Sequence, residues 1–546
     1  MHRSNLNAVL NKLVLNLVAL FIMFLSADLI AQEDLLKRGD NLHYAELSMP
    51  QNLLPIYGMD EKVSNRVIGF FYNGLIKITE TLEIVNDLAV NRESIMLNDG
   101  REKIIVTLKP DIKFHDGSTV TAEDVVFSYD IILNPINPTA QRTYLANLDK
   151  VEKVDQDKVG FIFKQRNPSN AYLLRFPILP AHSFDDDINI PLLPETDKQK
   201  AFSTKPIGTG PFLWQFAAPG QAIIFTGHNE YFNRPPFLGG ITLHIRSDAE
   251  SIVQEIETEA IDFLPSIEVY HVGRLQSNPS VTVKEYPTFN YTSMVMNCGH
   301  RFLQEVDVRK AIDYGISKMH IVEAVFIGFA TRISGPYAPT SWANNVSIRL
   351  RDYDIAQAKT LLKEAGFSDS NNDGIVERDG YEFSVKLKYE RGLKSHEEVA
   401  TIIQEELGKI GIEVTLEPKD KSILYQECQY EHNYDMALFG WEFGVDPDRY
   451  DLFHSSQTEK GLQNFALYKN KEVDGLLQDG RSCNHFDTRQ NTYYDVHRII
   501  FEEVPHIFLY SQKANAAIHC RFHDYEINAL SVFNNICNWY CDPKLR

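Results

Sequence analysis

The sequence predicts a mixed α/β protein, and three observations support this fold class. The 546 residues are 44% hydrophobic and 23% charged, which is typical of soluble globular proteins. Residues 382–417 show period-two spacing, then helical spacing, then period-two spacing again. Elsewhere, strand and helix patterns are mixed along the chain. Such a mixture excludes a helical bundle and a β-sandwich, and the length predicts roughly three or four domains.

The N-terminal residues are predicted to be a signal peptide rather than part of the fold. Basic residues precede an apolar run over residues 13–25. This run is shorter than the roughly 20 residues of a membrane-spanning helix, and it has the length of a signal-peptide core. We predict that residues 1–31 are removed, which leaves Gln32 as the first residue. Cleavage after Ala27 and an uncleaved signal anchor are the alternatives.

Net charge and cysteine positions limit the cellular compartments in which the protein could act and the partners that it could bind. The formal net charge of −20 argues against nucleic-acid binding, which normally needs a basic face. The first cysteine is Cys298, so no cysteine next to the expected cleavage site could carry a lipid. An exported protein without an anchor is retained only where an outer membrane encloses it. The sequence therefore indicates the periplasm of a double-membraned bacterium.

Three further elements are predicted from local patterns. Residues 103–109 have the pattern of a strand. Thr121 precedes a predicted helix over residues 122–127, and Asp124 completes the capping-box spacing. Residues 307–321 predict another helix.

In residues 382–417 the spacing of apolar residues changes from period two to helical spacing and back, which predicts a βαβ unit. Residues 383–389 and 412–416 alternate as strands with one buried face. Between them, Ser395 and Glu398 have the spacing of a capping box, and Gly411 suits a helix C-terminus. Strand, helix and strand at this spacing imply a right-handed crossover between parallel strands.

The next predicted strand points to a possible ligand position. Residues 436–439 are continuously apolar, as in a strand buried on both faces, and Gly440 and Trp441 follow. Ligands of open α/β sheets bind beyond the carboxyl ends of the strands. Trp441 therefore lies where a ligand could bind, and a place in the hydrophobic core is the alternative.

Catalytic and metal-binding motifs are missing from the sequence. The chain contains no G-x-S-x-G, P-loop, H-E-x-x-H or paired C-x-x-C motif, so we expect neither catalysis nor a cofactor. Residues 369–374 imitate the start of a calcium loop, but Gly380 stands where a bidentate Glu is needed. This favours a solvated turn. His115 and Asp116 precede Gly117 and are interpreted as a turn rather than a catalytic pair.

Three cysteines cluster near the C-terminus. Cys520, Cys537 and Cys541 lie close in sequence to His519 and His523, but their spacing matches no strong zinc pattern. In an oxidising compartment we expect one disulfide within this trio. The sequence does not select the pair.

A series of segments in a fixed order carries a family resemblance. The segments are 52–55, 113–117, 121–125, 206–212, 229–232, 307–312, 353–367, 435–441, 446–448, 454–456 and 503–510. Together they resemble the peptide/nickel class of extracellular solute-binding proteins, the receptors of ABC importers for oligopeptides and dipeptides. The match runs from about residue 40 to residue 540, so it covers nearly the whole mature chain.

The resemblance implies a two-lobed clam-shell of the periplasmic binding protein type with an inserted subdomain. The implied ranges are 36–60, 205–286 and 509–546 for a discontinuous lobe I, 61–204 for the inserted subdomain, and 287–508 for lobe II. Two chain crossings, at 289–294 and 508–511, would form the hinge. The family encloses its ligand between the lobes and delivers it to a membrane permease driven by ATPase subunits. It performs no chemistry and binds no nucleotide, and we expect a monomer.

The resemblance also implies where the ligand lies. The aromatic residues Tyr291, Trp441 and Tyr510 are expected at the ligand site. In peptide-binding relatives an Asp shortly after the Gly-Trp pair binds the ligand's amino terminus. Here Phe443 or Gly444 occupies that place. A buried ammonium group needs a carboxylate partner, and the acids that could substitute are Asp60, Glu442 and Asp446.

Two questions about the site stay open in the sequence. Asp446 begins an Asp-Pro-Asp segment that could instead be a structural turn. The preferred ligand is a peptide, because an extended peptide can bind through its main chain as an added strand. The alternatives are another solute, such as a nickel chelate, an opine, a sugar or haem, or a role as a secreted hydrolase or chaperone.

Overall fold

A computed structural model of the chain describes residues 36–184 and 205–545. The mixed α/β fold class is confirmed, since three sheets of four to seven strands are surrounded by helices. The predicted signal peptide and the expected cleavage site before Gln32 lie outside the described residues. Within those residues, no helix is both long and apolar enough to cross a membrane.

The first sheet has seven strands drawn from distant parts of the chain. In spatial order they are Val281–Tyr286, Ala514–His519, Phe263–Leu264, Asn41–Glu46, Gly240–Ile245, Ala222–Gly227 and Phe212–Ala218. Asn41–Glu46 runs parallel to both of its neighbours, and the remaining pairs are antiparallel. These strands fall within the three ranges expected for lobe I.

The second sheet has six strands. In spatial order they are Ala330–Thr331, His506–Gln512, Tyr291–Met296, Met436–Trp441, Ser384–Glu390 and Glu413–Lys419. The last two are parallel and are joined by the helix Lys394–Gly408, so the predicted βαβ unit is confirmed. Gly411 follows this helix with a φ of 84°, as expected for a helix stop.

The third sheet is antiparallel, and its strands lie within the range 61–204 that was expected for the inserted subdomain. Its strands, in spatial order, are Ala89–Met96, Glu102–Leu108, Lys158–Phe163 and Leu148–Lys153. The predicted strand at 103–109 is thus present. The predicted helix at 122 is present as Ala122–Leu133. The Thr121 backbone N–H donates to the Asp124 carboxylate at 2.8 Å, as the capping box requires.

The remaining elements complete the layers around the sheets. Three two-stranded sheets pair Ile76–Ile78 with Ile84–Asn86, Glu377–Arg378 with Tyr381–Glu382, and Phe522–His523 with Tyr540–Cys541. The other α-helices are Pro55–Gly58, Lys62–Phe71, Gln141–Tyr144, Ala249–Glu257, Val269–Gln276, Val306–Gly315, Lys318–Phe326, Ile355–Glu364, Lys421–Tyr425, Tyr450–Phe453, Lys471–Ser482 and Phe486–Glu503. Short 3₁₀ segments lie at Pro168–Arg175, Ala181–Phe184, Ser455–Gln457 and Ile536–Asn538, and a π turn lies at Gln426–Tyr430.

Two helix predictions need correction. The single helix expected over 307–321 is two helices, because Ile316 is extended and the Ser317 side chain caps a new helix by accepting the His320 backbone N–H. The expected capping box at Ser395 is also wrong. The helix begins one residue earlier, at Lys394, and no side chain caps its first turn.

Burial shows why the second sheet is the centre of its lobe. Met436 and Leu438 pack into a core cluster on one face, whereas Ala437 and Phe439 pack into another cluster on the opposite face. The prediction of a strand buried on both faces is therefore confirmed. A separate large cluster joins the first and third sheets, and the helix Lys62–Phe71 packs there through Phe70 and Phe71. That helix lies on the first sheet although its range was assigned to the inserted subdomain.

The chain crosses between the first two sheets at positions slightly different from those expected. Tyr291–Met296 and His506–Gln512 are strands of the second sheet, so the connecting segments are 287–290 and residue Lys513. The Thr288 hydroxyl donates to the Gln512 carbonyl at 2.9 Å, which ties the two crossings to each other.

The local turn predictions agree with the structure, but the disulfide prediction does not. Side chains of Asp369, Asn371 and Asp373 accept backbone N–H groups within their own turn. Gly117 has a φ of 86°, and the Asp116 carboxylate accepts the Ser118 N–H at 2.9 Å, as expected of a turn.

All six cysteines are free thiols, so the predicted disulfide is not formed. Cys520 is exposed, whereas Cys537 lies in the Ile536–Asn538 turn and Cys541 pairs in register with Phe522. Burial raises the pKa of the Cys537 thiol to about 12 and that of Cys541 to about 11. These two groups therefore stay protonated, and the structure places them in separate elements.

Candidate functional site

A cavity of about 730 Å³ lies between the first and second sheets. On one side it is lined by residues 266–270 and by Ala514 and Asn515, which belong to the first lobe. On the other side it is lined by residues 290–292 and 440–442, at the ends of two neighbouring strands of the second sheet. Both chain crossings contribute to its wall. We call this space the interlobe cavity.

Trp441 forms an aromatic platform in the wall of the interlobe cavity. It ends the strand Met436–Trp441, as the sequence pattern predicted, and it is half-buried. Its indole Nε1 donates to the Ser293 hydroxyl at 2.8 Å. Its ring stacks against Phe443, Phe465 and His506 with interplanar angles of 12°, 20° and 25°. These contacts fix the ring plane before any ligand arrives.

The imidazole behind this platform is neutral. His506 is fully buried, and burial lowers its pKa to about 3. Its Nδ1 lies 3.3 Å from the same Ser293 hydroxyl that accepts the indole N–H. The stack beneath the ligand site therefore carries no charge at physiological pH, which suits aromatic and peptide groups.

Tyr291 lies directly opposite Trp441 in the antiparallel register of the second sheet. It is 2% exposed and stacks on Phe443 with ring centroids 5.2 Å apart. Burial raises the pKa of its phenol above the ordinary value. The phenol is therefore a neutral group held rigidly at the cavity wall.

Charged side chains of both signs line the cavity, and two of its acids are without an ion-pair partner among residues 36–184 and 205–545. Lys394 and Glu398 pair with each other at 3.6 Å, and Lys513 pairs with Glu285 at 2.7 Å. Glu268 and Glu442 are exposed and form no ion pair with the described residues. Both acids are therefore free to meet a ligand cation, and Glu442 is the one that the sequence suggested.

Asn515 lines the cavity and carries a buried hydrogen-bond acceptor. The residue is 3% exposed, and its side-chain Oδ1 accepts no hydrogen bond from the described part of the chain. Its backbone carbonyl accepts the Ile267 N–H at 2.9 Å, which holds the segment in place. Buried polar groups are normally paired, so this oxygen is an exception, but it lies behind the surface of the wall and not open to the cavity.

Three of the six expected ligand residues line the cavity and three do not. Tyr291, Trp441 and Glu442 line it. Asp60 is exposed elsewhere and accepts the Gln141 side-chain N–H at 2.8 Å. Tyr510 is 2% exposed and packs behind the wall against Phe326, which itself lines the cavity.

Asp446 is committed to a structural contact. Its carboxylate accepts two hydrogen bonds from the buried Arg489 guanidinium, at 2.9 and 3.1 Å, and one from the Asp448 N–H at 3.0 Å. Asp448 in turn pairs with Arg481 at 2.6 Å. The Asp-Pro-Asp segment is thus the bonded turn that the sequence left as an alternative, and Asp446 does not reach the interlobe cavity.

Several lining residues were missed by sequence reasoning. Lys62, Glu268 and Asn515 line the cavity from the first lobe, and Lys394 and Glu398 line it from the βαβ unit. Glu398 was interpreted only as a helix cap. Asn515 carries no motif, and its place in the cavity wall became visible only in the structure.

The lining is suited to holding a ligand. The residues that line the interlobe cavity, all in the described part of the chain, include no His, Cys or Asp. Within the described ranges, no three His, Cys, Asp or Glu side chains converge to hold a metal ion.

Comparison with known proteins connects this geometry to a family. A family model described as bacterial extracellular solute-binding proteins, family 5 Middle, matches residues 83–463. The oligopeptide-binding protein AppA of Bacillus subtilis (strain 168) is 30% identical over 511 residues, which are 92% of this chain and 92% of that protein. Heme-binding protein A of Haemophilus influenzae is 25% identical over 460 residues, 80% of each chain.

A solved structure extends the likeness to the fold. The structure of Bacillus subtilis AppA in complex with a nonapeptide has a TM-score of 0.68 and 28% sequence identity to this chain. The match covers 92% of this chain and 99% of that chain. The likeness therefore extends over both sheets that enclose the interlobe cavity.

Proposed function

The chain belongs to family 5 of the bacterial extracellular solute-binding proteins, and from this membership we propose that it captures peptides for an ABC importer. It binds the peptide between lobe I, which carries the first sheet, and lobe II, which carries the second sheet, and delivers it to a membrane permease driven by ATPase subunits. The chain itself is a receptor and not an enzyme.

The single observation that carries this proposal is the interlobe cavity. Its walls come from two separate sheets, and within the described residues the chain passes from one sheet to the other at 287–290 and at Lys513. Its volume of about 730 Å³ lies within the usual range of ligand sites, about 300–1,000 Å³. A ligand placed there contacts both lobes at once, which is how a solute stabilises a closed state.

The chemistry of the wall favours a peptide. A peptide offers main-chain N–H and C=O groups, and the amide residues Asn290 and Asn515 line the cavity. A free peptide carries an ammonium group, and Glu442 is an acid without an ion pair among the described residues. Trp441 supplies a flat apolar surface on which side chains or peptide planes can lie. The 30% identical relative is named as an oligopeptide-binding protein.

A metal-containing solute is the less favoured alternative. One relative, at 25% identity, is named a heme-binding protein. A haem iron or a nickel chelate usually gains from a His or Cys ligand, and the lining of the interlobe cavity in the described chain contains neither. The lining therefore supports a peptide over a metal complex.

The location and assembly follow from the same proposal. Family members work outside the cytoplasm. We infer that residues 1–31 are cleaved, that the mature protein begins at Gln32 and acts as a monomer in the periplasm, and that its partner is the permease and ATPase complex at the inner membrane. Intact mass of the exported protein tests the cleavage site.

Calorimetric titration with a tripeptide and its N-acetylated form tests the ligand class. We expect the free tripeptide to bind more tightly, by about 2 kcal/mol or more, because acetylation removes the cation that Glu442 meets. Glu442→Gln should remove most of this difference. Glu413→Gln, an exposed acid on an edge strand of the second sheet, is the matched control and should preserve it.

Two results would count against the proposal at different levels. If the free and acetylated tripeptides bind equally to every variant, Glu442 does not recognise the amino terminus. If no peptide binds at all while another solute co-purifies in stoichiometric amount, the receptor serves that solute instead. Mass spectrometry of the bound material identifies it.

A further inference from the structure

A smaller cavity adjoins the interlobe cavity on the lobe I side. Its volume is about 160 Å³, and Ser266, Ile267 and Glu268 line both spaces. Behind this shared segment it is enclosed by the helix Ala249–Glu257, the residues after the strand Asn41–Glu46, and the start of the helix at 269. We call this cavity the side pocket.

The wall of the side pocket is mainly apolar. Ile252, Val253, Leu264 and Ile267 line it, and each is between 1% and 7% exposed. They belong to one cluster of buried residues that covers this face of the first sheet. The pocket is therefore cut into a hydrophobic core rather than into a polar surface.

Five polar residues line the pocket: Ser48, Ser266 and Glu268 are exposed, whereas Glu46 and His271 are buried and lie near charged partners. The buried Glu46 carboxylate accepts the Arg66 guanidinium N–H at 2.5 Å. His271 Nδ1 lies 3.9 Å from the Glu250 carboxylate. A polar ligand group placed in the pocket would lose water without finding a free partner among these two residues, and that is costly. An apolar group that enters the pocket gives up no hydrogen bonds to water and pays no such cost.

The size of the pocket matches one large apolar side chain. An apolar cavity of about 150 Å³ holds a benzene molecule. The side pocket, at about 160 Å³, has room for one phenyl ring or one branched aliphatic group. It is too small for a second residue of a peptide, so only a side chain can enter.

We propose that the side pocket binds one aromatic or branched aliphatic side chain of a peptide whose main chain lies in the interlobe cavity. This inference rests on the proposed function. The shared segment 266–268 places the pocket beside Asn515, because the Ile267 N–H is bonded to the Asn515 carbonyl. The residue whose main chain meets Asn515 is thus the one whose side chain enters the pocket.

Titration calorimetry with four synthetic tripeptides tests the proposal on the full mature chain. The probes are trialanine and the three peptides with one phenylalanine at position one, two or three. One phenylalanine peptide should bind about tenfold to a hundredfold more tightly than trialanine, because it buries a phenyl ring. The other two phenylalanine peptides should show a smaller gain.

Ala249→Leu places a larger side chain in the pocket wall and should abolish that preference. Ala356→Leu is the matched control, because Ala356 is exposed on the helix Ile355–Glu364 and lines neither cavity. Ile252→Ala is a second variant, independent of the first. It enlarges the pocket and should shift the preference from phenylalanine towards tryptophan at the same peptide position.

The possible failures are distinguishable. If all four tripeptides bind the wild type equally well, the side pocket does not select a side chain, and the proposed peptide receptor stands. If the phenylalanine gain persists in Ala249→Leu and the preference does not move in Ile252→Ala, another part of the cavity makes the selection. If none of the tripeptides binds, the peptide receptor and the side pocket are both overturned.

Discussion

Among single residues, Asp446 shows how a neighbouring charge decides what a carboxylate can do. By sequence it stands close to the place where peptide-binding relatives keep a ligand acid, and it was a reasonable candidate. In the structure its two oxygens face Arg489, whose side chain is 6% exposed. A carboxylate that neutralises a buried guanidinium cannot be withdrawn without leaving that cation unpaired. Of the three acids that the sequence suggested, Glu442 is the one that lines the cavity and has no such partner among the described residues.

Replacing Asp446 should therefore reduce stability more than it changes amine recognition. Asp446→Ala leaves Arg489 buried without its acid, and we expect a loss of about 3 kcal/mol in the free energy of unfolding. Asp451→Ala is the matched control, since Asp451 is 59% exposed and pairs loosely with Arg481, and it should cost about 1 kcal/mol or less. Urea unfolding of both variants measures this. A larger loss in Asp451→Ala than in Asp446→Ala would contradict it.

Among the secondary-structure elements, the end of the βαβ helix shows how one glycine sets a boundary. Gly411 lies in the left-handed region, with a φ of 84°, and the next strand starts two residues later. A Cβ at this position would lie 2.7 Å from the Val376 Cγ1 atom. Gly408, three residues earlier, ends the helix and has open space around its Cα. The two glycines are close in sequence, but a Cβ atom has room at Gly408 and would clash at Gly411.

Alanine substitutions at these two glycines should have effects of opposite sign. Gly411→Ala should destabilise the protein by about 1–2 kcal/mol, because the residue is forced into a left-handed conformation and against Val376. Gly408→Ala should stabilise it by about 0.4–1 kcal/mol, because it restricts the unfolded chain at no steric cost. Thermal unfolding of the two variants decides this. Stabilisation by Gly411→Ala would show that the helix end is not fixed by the glycine.

For the whole molecule, burial of histidines predicts sensitivity to acid. Burial lowers the pKa of His115, His396 and His497 to about 4 and that of His506 to about 3. In the unfolded chain these imidazoles take up protons near pH 6.5. Below that pH the unfolded state binds more protons than the folded state. As the pH is lowered below 6.5, the free energy of unfolding therefore decreases by up to about 1.4 kcal/mol per pH unit for each histidine. The decrease ends when the pH reaches the folded-state pKa of that histidine.

The contribution of one histidine can be isolated by comparing stabilities at two pH values. In His506→Gln the loss of unfolding free energy between pH 7 and pH 5 should be smaller than in the wild type by about 2 kcal/mol. His485→Gln, at an exposed position, is the matched control and should retain the wild-type difference. Denaturant unfolding at both pH values gives the numbers. An unchanged difference in His506→Gln would mean that His506 is protonated in the folded state.

The arrangement of the two large sheets predicts closure around a ligand. In the described part of the chain the backbone passes between them at 287–290 and at Lys513, and bonds from Thr288 to Gln512 and from Ser511 to Asn290 hold these crossings together. Rotation about such a narrow connection changes the interlobe cavity without disturbing either core. Small-angle scattering should show a smaller radius of gyration with saturating peptide than without it. Identical profiles at saturation would contradict closure by the ligand.

Most of the predicted elements and the family could be inferred from the sequence alone, because both depend on local or ordered patterns. Period-two spacing in 383–389, the Thr121 cap and the positive φ at Gly411 each arise from interactions within a few residues. The continuously apolar strand that ends at Trp441 also predicted correctly that Trp441 would line a cavity. The order of short segments along the chain was enough for the family, which the comparisons confirmed.

Which side chains meet at the site could not be inferred from the sequence and became clear from the fold. Asp446 is not a ligand residue, because its carboxylate binds Arg489, which is 43 residues away in the sequence. Asn515 lines the cavity beside Ile267, which is 248 residues away in the sequence. The break in the 307–321 helix and the three separate thiols near the C-terminus likewise depend on packing. A side chain's function depends on the charges and empty spaces around it, and these come from parts of the chain that no local pattern relates to each other.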